Sequence, residues 1–305
     1  MLATATDQLP EGPEWSFEFK WDGVRALVEI VEGRMAIRSR RGNEVTVAYP
    51  ELAGLGTGIE DALIDGEIVA FAEGRPSFGL LQTRMHVRGR VQAAELAAQA
   101  PVSFIAFDVL RLHGVDVTAR PLRERRATLE RLVANRPGWT LSPAFDDGAA
   151  TELAARTHGL EGVVAKRLTS RYRPGLRGPD WVKKRFMRRG EFVVIGWEAD
   201  AERPGLLTSL LLGYYQDVTL LFAGKVGSGL SVRAAEALQR RLIPRNSSPL
   251  TVDPAPSPGR VVAWVEPNLV VEVTYSQWAP DGRLRQPVYL GIRPDKIAQE
   301  VQRDG

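Results

Sequence analysis

The stretch "FEFKWDGVRALVEI", residues 17–30, combines an alternating pattern with a turn signal. Its first half alternates, which predicts a strand with Phe17 and Phe19 on one side and Glu18 and Lys20 on the other. The Asp-Gly pair that follows predicts a turn at the strand's end. We therefore expect Lys20 at a strand end, facing a cleft, with a carboxylate two residues away.

The choice of lysine at position 20 is unusual for this chain. Of its 40 basic residues only six are lysine, namely Lys20, Lys166, Lys183, Lys184, Lys225 and Lys296. Arginine stays protonated and delocalised, whereas lysine can lose its proton and act as a nucleophile. Lys20 is therefore a candidate nucleophile, although an ordinary exposed lysine in a hairpin has the same local sequence.

Composition excludes several classes of protein. The 305 residues are 44% hydrophobic, which is enough for two domains. The absence of cysteine excludes disulfide frameworks, thiolate nucleophiles and Cys-rich zinc modules. The three histidines lack the paired spacing of zinc enzymes. With no long apolar run, the chain is expected to be a cytoplasmic protein without a membrane segment.

Positive charge is concentrated in patches. The net charge is only +3, yet the sequence pI is about 9.3. Arginine and lysine cluster in "RSRRG", "RERR", "KRLTSRYRPGLRG" and "VKKRFMRR". Such patches suit a polyanion such as nucleic acid, and an arginine-rich solvated surface is the alternative.

Acids and cations also appear at four apolar segments that read as strands. Asp65 and Glu67 share a face of "ALIDGEIVAF" (62–71), and Asp108 is expected near the end of "VSFIAFDVL" (102–110). The other two segments are "LEGVVAKR" (160–167), which begins beside Glu161, and "WVKKRF" (181–186), which carries Lys183 and Arg185 on one face.

Together these residues suit attack by a lysine on an activated phosphate. An ordinary lysine is almost fully protonated near neutral pH. We expect Lys183, Arg185 and a bound metal ion to disfavour the ammonium form of Lys20 and so free its amine. Carboxylates would hold the metal ion, which would neutralise a polyphosphate.

These motifs resemble those of the covalent nucleotidyltransferases, and most of all ATP-dependent DNA ligases of the bacterial end-joining ligase D type. The resemblance covers nearly the whole chain, in order, through "KWDG", "SRRGNEVT", "DGEIVAF", "FDVL", "EGVVAK", "WVKKR" and "RQPVYLGIRPDK". Arg185 stands where many relatives have lysine. Val288 and Gly291 replace arginines of the eukaryotic form.

The resemblance implies a role for each matching residue. Lys20 would carry AMP, with Asp22 as a second catalytic residue, and Glu161 and Glu67 would bind Mg²⁺ or Mn²⁺. The implied ATP contacts are Glu18 to the adenine amino group, Arg25, Arg40 to ribose or phosphate, Glu67, Phe107 stacked on adenine, Lys183 and Arg185 at the α-phosphate, and Arg293, Asp295 and Lys296 at the leaving pyrophosphate.

The resemblance also implies an α+β fold. Residues 1–187 would form a nucleotidyltransferase (adenylation) domain with antiparallel sheets, and residues 188–305 a C-terminal OB-fold β-barrel. The second part indeed reads as five short strands, including "VVAWVEP" and "LVVEVTYSQW", with one helix at "SVRAAEALQRRL". Within it, "GKVGSG" (224–229) makes Lys225 a candidate contact to a phosphate backbone, and a tight hairpin turn is the alternative.

The implied function is sealing of 5′-phosphate/3′-hydroxyl nicks in double-stranded DNA through a lysyl-AMP intermediate, in repair or end joining. We expect a monomer at the bacterial nucleoid, with a Ku-like end-binding protein and a separate repair polymerase as candidate partners. An RNA ligase and a GTP-using capping enzyme share the first motif. A non-catalytic nick-binding module is an alternative from another class. The zero cysteines argue against an NAD-dependent ligase.

Overall fold

The computed structural model describes residues 1–134, 136–279 and 281–303, with position 204 described by its backbone alone. The chain divides into two compact units, Met1–Phe186 and Met187–Gly305. This division lies one residue from the boundary expected from the sequence.

The first unit holds two sheets and four α-helices among its described residues. One sheet has the order β1-β12-β11-β2-β10, and the other the order β4-β3-β5-β7-β8, with β6 beside β5 and β9 beside β7. Its strands are β1 Leu2–Ala5, β2 Trp15–Lys20, β3 Val24–Val31, β4 Arg34–Ser39, β5 Asp61–Ala72, β6 Arg75–Pro76, β7 Val102–Leu112, β8 Val115–Asp116, β9 Trp139–Leu141, β10 Ala144–Phe145, β11 Gly162–Arg167 and β12 Arg177–Arg185. Its helices are α1 Phe78–Arg84, α2 Arg90–Gln99, α3 Leu122–Val133 and α4 Gly148–Thr157, with 3-10 turns at Thr46–Ala48 and Pro50–Gly56.

Most strand pairs of this unit are antiparallel, as expected. Two pairs are parallel, β1 with β12 and β7 with β9. Strand β2 ends at Lys20, one residue before the Asp-Gly turn, as the alternating pattern predicts. Phe17 packs in a core with α4, and Phe19 lies against the same core. The other face of β2 is thereby left for the polar side chains.

Strand β7 differs from its prediction. It continues to Leu112, so Asp108 lies within the strand rather than near its end. The Asp108 side chain is fully buried and forms two hydrogen bonds of 2.8 Å with the guanidinium of Arg125 on α3. Arg125 also donates to the carbonyl of Ser170 at 2.9 Å. Asp108 therefore joins α3 to the sheet.

The second unit contains one mainly antiparallel sheet and one α-helix among its described residues. The strand order is β15-β14-β13-β17-β16, with β18 beside β17. The elements are β13 Arg188–Asp200, β14 Arg203–Gln216, β15 Thr219–Val226, α5 Val232–Gln239, β16 Pro244–Arg245, β17 Arg260–Tyr275, β18 Val288–Ile292 and a 3-10 turn at Ala298–Glu300. Ser231 caps α5 through its side chain, which accepts from the backbone N–H of Ala234.

The prediction of two separate strands at "VVAWVEP" and "LVVEVTYSQW" is wrong, because both belong to β17. The pairing with β13 jumps from Val194–Leu269 to Gly196–Trp264, so the intervening part of β17 bulges out of that ladder. Pro267 lies in this bulge. A proline there removes no hydrogen bond from the β13 ladder, and the strand can continue through it.

Replacing Arg125 with methionine should destabilise the first unit. The change leaves the Asp108 carboxylate buried without its cation, a loss of about 3–5 kcal/mol in the free energy of unfolding. Loss of the cation raises the folded-state pKa of Asp108 further above its unfolded value, so the penalty should grow as pH rises. Urea denaturation at several pH values measures it.

The exposed Arg131 on the same helix provides the matched control, R131M. That variant should stay within about 0.5 kcal/mol of the parent. Equal losses in the two variants, or a penalty independent of pH, would contradict this account of the Asp108 pair.

Candidate active site

Sheet register brings Lys20 and the predicted phosphate contacts onto one face. Residues paired across adjacent strands project from the same side of a sheet. Two rows cross β2, β11 and β12, the first with Glu18, Val164 and Lys183 and the second with Lys20, Gly162 and Arg185. The period-two placement of Lys183 and Arg185 on one face is therefore confirmed.

Lys20 is paired with an acid at the edge of the cleft. Its ammonium Nζ donates to Oε2 of Glu161, and Nε of Arg185 lies 3.3 Å from the other oxygen of that carboxylate. The Lys20 side chain is only 16% exposed. Glu161 directly precedes β11, so the end of that strand delivers the carboxylate to the end of β2.

Gly162 allows β11 and β12 to approach each other closely beside Lys20 and Arg185. It sits between them in the second row, and a Cβ at this position would lie 2.1 Å from the backbone carbonyl oxygen of Lys184. Atoms that close would repel each other strongly, so this close approach of β11 and β12 requires glycine.

The second sheet supplies Arg25 and Glu67, which face each other across β3 and β5. The guanidinium of Arg25 donates to both oxygens of Asp65, at 3.0 and 2.6 Å. The hydroxyl of Tyr172 donates to the same carboxylate at 2.7 Å. Asp65 was not among the predicted site residues. Its role in this geometry is to fix the orientation of Arg25.

The carboxyl group of Glu67 has a raised pKa. Burial raises its pKa to about 8, and the nearby carboxylates of Asp65 and Glu161 act in the same direction. The cations of Lys20 and Arg25 oppose this shift. Glu67 therefore holds a proton near neutral pH unless further positive charge arrives.

The pKa of Lys183 is shifted downwards. Burial is the first cause, and repulsion from Arg185 and Lys20 adds to it. Three cations thus crowd one end of the cleft, with Glu161 as the acid between two of them. Such a concentration of positive charge favours a bound anion.

A cleft of about 210 Å³ in the first unit collects seven of the predicted residues. They are Glu18, Lys20, Arg25, Arg40, Glu67, Phe107 and Lys183. Phe107 is 9% exposed and meets Trp181 edge to face, with 6.2 Å between the ring centroids. One aromatic wall therefore faces a set of charged groups, a combination that suits a nucleotide.

Sequence reasoning missed Lys166 and Trp181 as parts of this cleft. Lys166 is 3% exposed in its side chain, and its Nζ donates to Oε1 of Glu18 at 2.7 Å. Its ammonium lies 4.3 Å from the ring centroid of Phe107 and 4.6 Å from that of Trp181. The scarcity of lysine was the available signal, because it applies to position 166 as much as to position 20.

The remaining predicted residues lie elsewhere. Asp22 is in the turn between β2 and β3. Arg293, Asp295 and Lys296 follow β18 in the second unit. There Arg293 donates to both oxygens of Asp295 at 2.9 and 2.7 Å and to Glu191 at 2.7 Å. Lys296 approaches Glu191 at 3.5 Å.

The structure does not support Lys225 as a contact to a phosphate backbone. Its Nζ donates to Glu198 at 2.5 Å, to the carbonyl of Ala255 at 3.0 Å and to Ser257 at 3.3 Å. An ammonium has three donors, and these three bonds use them all. Lys225 instead fastens the 246–259 loop to the barrel.

Among the described residues, no group of three or more His, Cys, Asp or Glu side chains could enclose a metal ion. Glu67 and Glu161 are the acids beside Lys20. Mg²⁺ commonly takes one or two carboxylates and completes its coordination with substrate phosphates and water. The donor set thus fits an ion that enters with a polyphosphate.

No helix in the described ranges is both long and apolar enough to cross a membrane.

Comparison with known proteins agrees with this geometry. Residues 1–185 match the model of the ATP dependent DNA ligase domain, and residues 203–296 match that of the ATP dependent DNA ligase C terminal region. The multifunctional non-homologous end joining DNA repair protein LigD of Mycobacterium tuberculosis is 41% identical over 312 residues. That alignment covers 100% of this chain and 39% of the relative, so the chain spans about two fifths of its length.

Solved structures give the same relationship. The crystal structure of the ligase domain of M. tuberculosis LigD is 39% identical, with a TM-score of 0.54, and the match covers 99% of this chain and 97% of that one. A mycobacterial DNA ligase D complexed with ATP and MES is 38% identical, with a TM-score of 0.53 and coverage of 99% and 98%. These likenesses confirm the predicted fold, a nucleotidyltransferase domain followed by an OB-fold. The chain belongs to the ATP-dependent DNA ligase family.

Proposed function

We propose that this chain is a DNA ligase that seals 5′-phosphate/3′-hydroxyl nicks in duplex DNA through a lysyl-AMP intermediate on Lys20. The observation that carries the proposal is the placement of Lys20. Its ammonium lies at the edge of a cleft and donates a hydrogen bond to Glu161. Lys183 and Arg185 lie on the same sheet face. The match to a ligase D solved with ATP supports ATP as the nucleotide.

In the first step Nζ of Lys20 forms a bond to the α-phosphorus of ATP, and the bond to pyrophosphate breaks. The Lys20 ammonium must lose a proton before it attacks, and the carboxylate of Glu161, to which it donates a hydrogen bond, would accept that proton. Lys183 and Arg185 offset the negative charge that gathers on the α-phosphate. Glu18, Arg25, Arg40 and Phe107 line the cleft and would hold the rest of the nucleotide.

Glu67 and Glu161 would hold Mg²⁺ or Mn²⁺ beside the phosphates. When bound, such an ion neutralises triphosphate charge and makes pyrophosphate a better leaving group. Its charge would also favour the ionised form of Glu67, whose pKa burial raises to about 8. Arg293, Asp295 and Lys296 of the second unit would orient the pyrophosphate, as the family resemblance implies.

The second step frees the lysine, and the third joins the two DNA ends. A 5′-phosphate oxygen at the nick attacks the phosphorus of lysyl-AMP, and the bond to Nζ breaks. The 3′-hydroxyl then loses its proton, attacks the 5′-phosphate and displaces AMP. Asp22 is the residue we assign to positioning that hydroxyl. Each step exchanges one bond to phosphorus for another, so no oxidant or reductant is needed.

We also propose a role in end joining, because the LigD relatives are named as non-homologous end joining proteins. A Ku-like end-binding protein and a repair polymerase are the candidate partners. Action on chromosomal DNA would place the enzyme at the bacterial nucleoid. We propose a monomer, because one copy of the first unit contains all the residues assigned to the attack by Lys20.

Replacing Lys20 with arginine should reduce adenylylation by about a thousandfold or more, because a guanidinium does not provide a free amine. Transfer of label from α-³²P-ATP to protein measures this step, and intact mass detects one added adenylate. The matched control is K184R. Lys184 lies on β12 and pairs with Glu152 at 2.7 Å, so its replacement should leave labelling near the parental level.

Covalent labelling of the K20R variant at the parental rate would refute the assignment of the nucleophile.

The wild-type protein should seal nicked duplex DNA with ATP and fail with GTP, which denaturing gels of a labelled strand measure directly. A nicked duplex of RNA is the matched substrate control. Sealing confined to RNA would favour an RNA ligase. Binding of nicked DNA without any sealing would favour the non-catalytic module.

Glu67→Gln should raise the free energy of unfolding of the nucleotide-free, metal-free protein at high pH. An unfolded Glu titrates near 4.3, whereas burial raises the folded-state pKa of Glu67 to about 8. A raised carboxyl pKa means that parental stability declines as pH rises towards 8. The variant should therefore gain about 1–3 kcal/mol at pH 8 and little at pH 5.

Urea denaturation across this pH range provides the measurement, with the exposed Glu60 replaced in the control E60Q. The control should follow the parental curve. An E67Q curve parallel to the parental one would show that Glu67 ionises normally in the folded protein.

A further inference from the structure

We propose that Phe71 contacts the base of the 3′-terminal nucleotide at the nick, so that sealing depends on a base being present at that end. The inference rests on the proposed function in two respects, namely that the substrate is nicked DNA and that Asp22 positions the 3′-hydroxyl. Phe71 is not among the residues that line the nucleotide cleft, and the scheme for the three steps gives it no role.

Four aromatic rings form a continuous ridge from β10 to β5, which we call the aromatic ridge. The ring centroids of Phe145 and Phe19 are 5.2 Å apart, those of Phe19 and Trp21 5.9 Å, and those of Trp21 and Phe71 6.4 Å. Phe145 and Phe71, at its two ends, are 39% and 36% exposed. Contiguous apolar patches on a protein surface commonly mark binding sites.

The middle of the aromatic ridge is held in place. Nε1 of Trp21 donates to Oγ of Ser142 at 3.2 Å, and Ser142 is completely buried. Phe19 packs against the core beneath α4. Trp21 meets Phe19 and Phe71 edge to face, at interplanar angles of 86° and 72°. The ring of Phe71 therefore has a fixed support, and little conformational freedom is lost when a base packs on it.

The turn that carries Asp22 packs against the strand that carries Phe71. A Cβ at Gly23 would lie 2.3 Å from the backbone carbonyl oxygen of Ile68 on β5, so this close approach requires glycine. Asp22 and Phe71 therefore belong to the same end of the aromatic ridge, and Phe145 lies at the other end.

Phe71 also projects from the cleft side of β5. Side chains four residues apart on a strand share a face, and Glu67, four residues before Phe71, lines the cleft. A nucleotide whose 3′-hydroxyl meets Asp22 would thus lie beside the exposed ring of Phe71.

An aromatic ring suits the base at a nick. Apolar and aromatic side chains pack on a base face where neighbouring base pairs separate. A nick lacks one backbone link, so the base pairs on its two sides separate more easily there. Every base has such a face, so the contact should depend on the presence of a base and little on its identity.

The test compares Phe71→Ala with the matched control Phe145→Ala, which removes the same ring at nearly the same exposure from the other end of the aromatic ridge. The substrates are nicked duplexes with a pre-adenylylated 5′-phosphate, so that sealing proceeds without ATP. One has a normal 3′-terminal nucleotide and the other an abasic one. On the normal substrate F71A should lower kcat/KM about fivefold to a hundredfold.

On the abasic substrate F71A should stay within about twofold of the parent, because the base that Phe71 contacts is absent. F145A should behave as the parent on both substrates, and adenylylation of Lys20 by ATP should be unchanged in both variants. Equal losses on the two substrates, a loss in F145A that matches F71A, or no loss in F71A would overturn the proposal. No sealing of either substrate by the wild-type protein would instead overturn the proposed function.

Two further variants distinguish stacking from apolar bulk. Phe71→Trp keeps a ring and should retain sealing of the normal substrate, whereas Phe71→Leu should lose nearly as much as F71A. A neutral ring releases no counterions, so the dependence of DNA binding on salt concentration should have the parental slope in F71A. Full activity in F71L, or a shallower salt slope in F71A, would contradict stacking on a base.

Discussion

The structure of the first unit depends on burying charge in pairs. An ion removed from water is costly unless a counter-ion and hydrogen bonds replace its hydration. Four such pairs connect distant parts of the chain around the cleft, namely Lys20–Glu161, Arg25–Asp65, Arg125–Asp108 and Lys166–Glu18. Each fixes a side chain in one orientation. The cleft is thus preorganised by electrostatics as much as by its apolar cores.

Lys183 and Arg185 add positive charge to a region where Glu161 already balances the charge of Lys20. Burial and repulsion lower the pKa of Lys183. A bound polyphosphate would supply the missing negative charge and relieve that repulsion. The same charge distribution that limits the stability of the free protein therefore favours the anionic substrate we propose.

Local pattern predicted the parts of the fold that depend on neighbouring residues. Alternation around Lys20 gave the strand, its two faces and its end, and the same period placed Lys183 with Arg185. The local pattern could not predict which charged residues form ion pairs, because Lys20 and Glu161 are 141 positions apart and Glu18 and Lys166 are 148 apart. Only sheet register decides such pairs. Register also explains why β17 is one strand. Its bulge at Pro267 is defined by the pairing with β13, which the local sequence does not reveal.

The lysines show where the reasoning from composition was too narrow. A retained lysine does not always signal reactive chemistry, because Lys184 pairs with Glu152 and Lys225 uses its three donors on Glu198 and loop atoms. A second physical reason is the size of the ammonium, which fits a crowded ion pair that a planar guanidinium would disrupt. Rarity alone does not separate these cases, since Lys296 is 42% exposed. Lys20 differs from the other lysines because it lies at the cleft, with an acid hydrogen bonded to its Nζ and cations on the same sheet face.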